Sequence, residues 1–145
     1  MKTLGTAMLS GALGAMMSIA GPQSSAFASA VPTVAQLRHI RRVLIVSAPS
    51  AQDTALRRQM KLLALWKDRG EARDMTVVSI VGKQVKGAGD AASALRDRFG
   101  LSSHAFAVAL IGKDGHLAVK GTTPLPTSEL EQTIDAMPMR QAGGR

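Results

Sequence analysis

Three short runs are almost wholly apolar and rich in β-branched residues: Val43-Leu44-Ile45-Val46-Ser47-Ala48, Met75-Thr76-Val77-Val78-Ser79-Ile80-Val81 and Ala105-Phe106-Ala107-Val108-Ala109-Leu110-Ile111. Runs of this kind read as strands covered on both faces, hence as the centre of a sheet. Helices must then supply the cover. Ser50-Ala51-Gln52-Asp53 matches the capping-box pattern and predicts a helix start. Leu56, Met60, Leu63 and Trp66 follow at helical spacing, and Gly70 supplies a stop. Lys83 to Gly89 reads as a flexible basic loop. Asp90 reads as the cap of a short helix over 91–99 closed by Gly100.

Gly112-Lys113-Asp114-Gly115 carries an Asp-Gly turn signal, and Leu117-Ala118-Val119-Lys120 resumes as a strand, which predicts a hairpin. Thr127 or Ser128 opens a last helix through Leu130, Ile134 and Met137, ended by Pro138. The order is β-α-β-α-β-β-α. It predicts an α/β fold: a four-stranded mixed sheet with one parallel pair, one antiparallel hairpin and helices on both faces. That is the thioredoxin-like layout.

The first thirty residues read as an address. Met1-Lys2 gives a positive start, and Leu4 to Ala20 carries no charge. Small residues follow Pro22, with A-x-A patterns at Ala26-Phe27-Ala28 and Ala28-Ser29-Ala30. This is a cleavable signal peptide over 1–30, cut after Ala28 or Ala30. Read as an anchor instead, the run of about 17 residues sits at the lower limit for spanning a bilayer and is interrupted by Gly and Ser. The expected organisation continues with a linker and basic lead-in over 31–41, the thioredoxin-like domain over 42–138 and a flexible tail over 139–145. The product is expected to be periplasmic or secreted and not membrane-spanning.

Composition removes several chemistries. The 145 residues include no cysteine, which excludes thiol catalysis, disulfide exchange, iron–sulfur clusters and cysteine zinc sites. Aromatics are 3% of the chain, too few for a base-stacking platform, and export makes nucleic acid a poor partner. His39, His104 and His116 are the only histidines and form no ligand pair on one element, so no metal and no cofactor is expected. Gly82-Lys83-Gln84-Val85-Lys86-Gly87 is followed by Ala88-Gly89 and so lacks the chemical half of a phosphate loop.

The chain resembles the secreted bacterial family called domain of unknown function 4174. The resemblance is carried by Arg42-Val43-Leu44-Ile45-Val46-Ser47-Ala48-Pro49-Ser50, Phe99-Gly100-Leu101, Leu110-Ile111-Gly112-Lys113-Asp114-Gly115 and Ile134-Asp135-Ala136-Met137-Pro138-Met139-Arg140. It implies a peroxiredoxin-like branch of the thioredoxin fold, similar also to a domain of extracellular sushi-repeat proteins. It implies a compartment and no transferable activity. In thioredoxin-like enzymes the redox cysteine lies between the first strand and its helix. Here that stretch is Ala48-Pro49-Ser50-Ala51-Gln52-Asp53-Thr54, without sulfur. The proline that usually precedes the third strand is also missing, with Ser103-His104-Ala105-Phe106-Ala107 in its place.

Five residues stand out as binding candidates. Ser50 and Asp53 lie where open α/β sheets bind ligands, although a simple helix cap accounts for both. Lys113 and Asp114 sit in the hairpin turn, and Arg140 ends the most distinctive segment of the resemblance. No catalytic residue is assigned. The formal charge of +8 is concentrated in Arg38, Arg41, Arg42, Arg57, Arg58, Lys61, Lys67, Arg69 and Arg73. It reads as a solvated face, or as a dock for an anionic envelope component. The leading expectation is a non-catalytic binding or accessory module of the cell envelope, with an unknown envelope protein or anionic component as partner. The alternative is an enzyme using non-thiol chemistry at the turn between the first strand and first helix. A third reading is an accessory role in a thiol–disulfide pathway.

Overall fold

The computed structural model describes residues 30–143; the expected signal peptide lies almost wholly outside the described residues. The elements in chain order are β1 (Arg42–Ala48), α1 (Thr54–Leu65), α2 (Lys67–Glu71), β2 (Met75–Val81), β3 (Gln84–Lys86), α3 (Ala92–Phe99), β4 (Ala107–Ile111), β5 (Leu117–Gly121), α4 (Thr127–Asp135) and α5 (Pro138–Gln141). They form a mixed α/β fold around one open sheet in the order β3-β2-β1-β4-β5. β1 and β2 are parallel in the register Arg42↔Met75 to Ala48↔Val81. β4 runs antiparallel to β1, with Val43 opposite Ile111 and Ser47 opposite Ala107. β5 is antiparallel to β4. No helix among the described residues is long and apolar enough to cross a membrane.

The sheet has five strands rather than the expected four. Gln84-Val85-Lys86, read as loop, pairs antiparallel with β2 as an edge strand. Three residues with one half-buried side chain are too short to show an alternating pattern. Gly82 takes φ +58 as the first residue of the tight turn into β3. Gly87 closes the strand at φ +93, where an added Cβ would lie 2.5 Å from the Val77 carbonyl oxygen.

The period of two along β1 sorts its side chains into two cores. Val43 and Ile45 join Val78, Ile80, Leu95, Phe99 and Ala109 on the α3 face. Leu44, Val46 and Ala48 join Leu56, Leu63, Trp66, Val108, Leu130 and Ile134 on the α1 and α4 face. The segment expected as a linker also packs, since Val34 and Leu37 are buried in the α3-side core. Residues 139–141, expected in the tail, continue α5.

The first helix departs from its predicted limits. It starts at Thr54, with Asp53 as N-cap accepting the Leu56 N–H at 2.9 Å. Asp53 is therefore the capping residue, whereas the box pattern assigned that role to Ser50. The buried face is Leu56, Gln59, Leu63 and Trp66. Met60 is exposed, and Gln59 takes the inner position. Gly70 is not the stop: it lies buried inside α2, where a Cβ would come within 3.1 Å of the Trp66 ring.

Candidate functional site

The register places the sequence-predicted residues at opposite ends of the sheet. Ser50 and Asp53 follow the carboxyl end of β1, whereas Lys113 and Asp114 follow β4, whose last residue pairs with Val43 at the amino end of β1. The structure therefore does not bring these four together. Asp53 is engaged as the α1 cap. Asp114 makes the hairpin turn: its Oδ1 accepts the His116 backbone N–H at 3.0 Å, a bond that holds its carboxyl below the ordinary value.

The amino end of β1 is tied by charge. Lys113 Nζ donates to Asp74 Oδ2 at 2.8 Å. Arg41 forms a fork on Glu71 at 3.0 and 2.8 Å. Arg73 forms another on Asp135 at 3.1 and 2.9 Å. Arg140 approaches Asp135 at 3.4 Å and donates to the Ala72 carbonyl at 3.3 Å. Arg42 is 1% exposed, and its guanidinium meets the Arg73 carbonyl at 2.8 Å and the Met137 sulfur at 3.4 Å. Burial lowers its pKa, and the charge of Arg140 acts in the same direction.

These contacts give the Ile134–Arg140 segment a physical role. Ile134 fills the core, Asp135 joins two arginines, Met137 accepts from Arg42, Pro138 begins α5, and Arg140 ties the segment back to Ala72. Lys113, Asp114, Met137 and Pro138 also border a cavity of about 290 Å³, with Arg140 beside it in sequence.

The acid response follows. Hydrogen bonds from Arg41, Lys113 and Arg73 hold Glu71, Asp74 and Asp135 below their ordinary values of 4.5, 3.8 and 3.8. Glu131 is likewise held below 4.5, first by the Trp66 indole N–H. A depressed folded-state pKa adds stability above the unfolded value and loses it as pH falls through the folded one. Stability should therefore hold through neutrality and fall below the ordinary carboxyl range. Asp74→Asn should lower stability at pH 7 by about 1 kcal/mol and flatten the acid limb. Urea unfolding at a series of pH values checks this; an unchanged acid limb would remove the Lys113–Asp74 pair from the account. Asparagine suits the test because Asp74 has φ +50, a conformation that Asn tolerates.

The opposite end of the sheet is open. A cavity of about 790 Å³ lies at the carboxyl ends of β1 and β2, bordered by Gly82, Lys83, Ala92, Ser93, Arg96 and His104, among others. Arg96 is the charged residue buried in its wall, at 8% exposure. Its Nε donates to Ser47 Oγ at 3.1 Å, one terminal nitrogen to the Gly82 carbonyl at 2.5 Å and the other to the Ala48 carbonyl at 3.3 Å. Lys83 enters from the β2–β3 turn and His104 from the loop before β4. Asp90, expected to cap α3, instead accepts the Val34 backbone N–H at 2.7 Å. Ala91 is the N-cap, with no side-chain bond to the helix.

Sequence reasoning missed Arg96. Ala92, Leu95, Arg96 and Phe99 fall on one helical face and all four are buried, so a cation on an apolar stripe was the available signal.

The basic run is divided, with four of its nine members held in pairs or buried. Arg41, Arg69 and Arg73 pair with Glu71, Glu131 and Asp135, and Arg42 is buried. Arg57, Arg58, Lys61 and Lys67 remain exposed on α1 and α2. Among the described residues no group of three His, Cys, Asp or Glu could hold a metal ion. No curated protein matches the chain. A family model described as Domain of unknown function (DUF4174) matches residues 33–143, spanning both ends of the sheet and the Ile134–Arg140 segment, and the chain belongs to that family.

Proposed function

We propose that the chain is exported and acts as a non-catalytic, thioredoxin-like binding or accessory module of the cell envelope, with its binding site in the cavity between Lys83, Arg96 and His104. The carrying observation is that cavity, open at the carboxyl ends of the parallel pair in a chain without a thiol. Its volume falls within the range of small-molecule sites, and its place is where open α/β sheets bind ligands. The thioredoxin-like assignment draws support from the order β2-β1-β4-β5, parallel at the first pair and antiparallel at the next two, with β3 as an addition. Export rests on the composition of residues 1–30. An enzyme built from Ser50, Asp53, Lys113 and Asp114 is less well supported, because Asp53 caps a helix and the other pair lies across the sheet.

The test is retention of small molecules. The purified chain is incubated with a low-mass extract of the cell envelope and read by native mass spectrometry beside Ser93→Trp, which places an indole in the cavity mouth. The expected result is a compound held by the wild type and lost by the variant, with insulin reduction and hydroperoxide consumption at background. Turnover of either substrate, or equal retention by both proteins, overturns the reading.

A further inference from the structure

The cavity wall holds a cation without a counter-ion. The group is the Arg96 guanidinium, a planar cation with donors and no acceptor. Among the described residues it forms no ion pair, and its five N–H donors meet three neutral oxygens. Among the described residues the ion pairs Arg41–Glu71, Arg73–Asp135 and Lys113–Asp74 gather at the far end of the sheet. A buried guanidinium left to neutral acceptors is costly, and an anion entering the cavity would offset that cost.

The other donors around the cavity agree in sign. Lys83 is an exposed ammonium on the rim, and His104 offers ring nitrogens from the loop opposite. Ala92 and Ser93 border the cavity at the start of α3, which no side chain caps. Two carboxylates also border it. Asp90 accepts the Val34 N–H, and Asp97 is exposed at the cavity border, where water screens it. The deep charge is therefore positive.

We propose that this cavity binds a small oxyanion, a carboxylate or a phosphate ester, with its oxygens at Arg96 and the first turn of α3 and with Lys83 and His104 closing the rim. The proposal rests on the cavity being the binding site. A planar guanidinium fork recognises either group through paired, charge-assisted hydrogen bonds.

Sodium acetate and inorganic phosphate serve as probes, titrated at constant ionic strength into isotope-labelled protein. Saturable amide shifts are expected at Gly82, Ala92, Ser93 and the Arg96 side chain with at least one of the two. The probe that saturates identifies carboxylate or phosphate chemistry. Arg96→Lys keeps the charge and loses the fork, and should weaken binding about tenfold, the loss of one charge-assisted bond. Lys83→Ala and His104→Ala change exposed side chains and keep the test usable if the Arg96 variant does not fold. Either should weaken binding about threefold. Shifts that never saturate with either probe, or binding unchanged in Lys83→Ala and His104→Ala, overturn the proposal. If the Ser93→Trp-sensitive compound is still retained while neither probe saturates, the cavity keeps its role and the oxyanion assignment falls alone.

Discussion

Trp66→Ala should destabilise the fold by about 3–5 kcal/mol, the range for a truncated core aromatic. Trp66 is 5% exposed and packs among Leu63, Met75 and Ile134 on the α1 and α4 face. Its ring lies against Gly70, and its indole N–H donates to Glu131 at 2.6 Å. One side chain thus joins the break between α1 and α2 to α4. Trp66→Phe separates the two contributions. It keeps most of the ring volume, removes the donor and should cost about 1–2 kcal/mol. The chain has one tryptophan, so circular dichroism rather than fluorescence must follow urea unfolding. A cost for Trp66→Ala no greater than that for Trp66→Phe would mean that the ring fills no essential space.

Gln59→Leu should cost about 2–4 kcal/mol, although it exchanges a polar core residue for an apolar one of similar size. Gln59 is fully buried; its amide accepts the Leu125 N–H at 2.7 Å and donates to the Leu125 carbonyl at 3.1 Å. That pair holds the chain between β5 and α4 against α1. Leucine would leave both Leu125 groups buried and unsatisfied, and desolvation of those groups sets the cost. Gln59→Glu gives a second reading with a definite sign. The introduced carboxyl is buried, which raises its pKa. Its neutral form can both donate and accept, so relative to wild type this variant should lose stability as pH rises through the raised value. Chemical unfolding at pH 5 and pH 8 measures the difference. A pH-independent gap would show that the inserted carboxyl escapes to water.

The parts of the fold legible in the sequence were those governed by burial or by the backbone angles of a tight turn. β1, β2 and β4 announce themselves because strands covered on both faces need no polar alternation. The β4–β5 turn was legible because Gly115 sits at φ +83, where few other residues settle. The edge strand β3 was not legible, since its pairing comes from β2 and not from its own three residues. Two helix starts shifted: Asp53 displaced Ser50 as the cap of α1, and Asp90 turned away from α3 towards Val34, leaving Ala91 as the N-cap.

The candidate site was harder to read. Arg96 and Gln59 each occupy an inner helical position that pattern reading assigns to an apolar side chain, and all but one of their partners, the Ser47 hydroxyl, are backbone groups of distant segments. Nothing in a linear sequence points to an acceptor on the main chain. The Ile134–Arg140 segment was visible as a signature, while its purpose emerged only when Arg42 and Arg73 arrived from other elements.

One pole of the sheet is cross-linked by charge and the opposite pole is hollow. A scaffold divided in this way can exchange the rim residues Lys83 and His104 for others without unlocking its anchored pole.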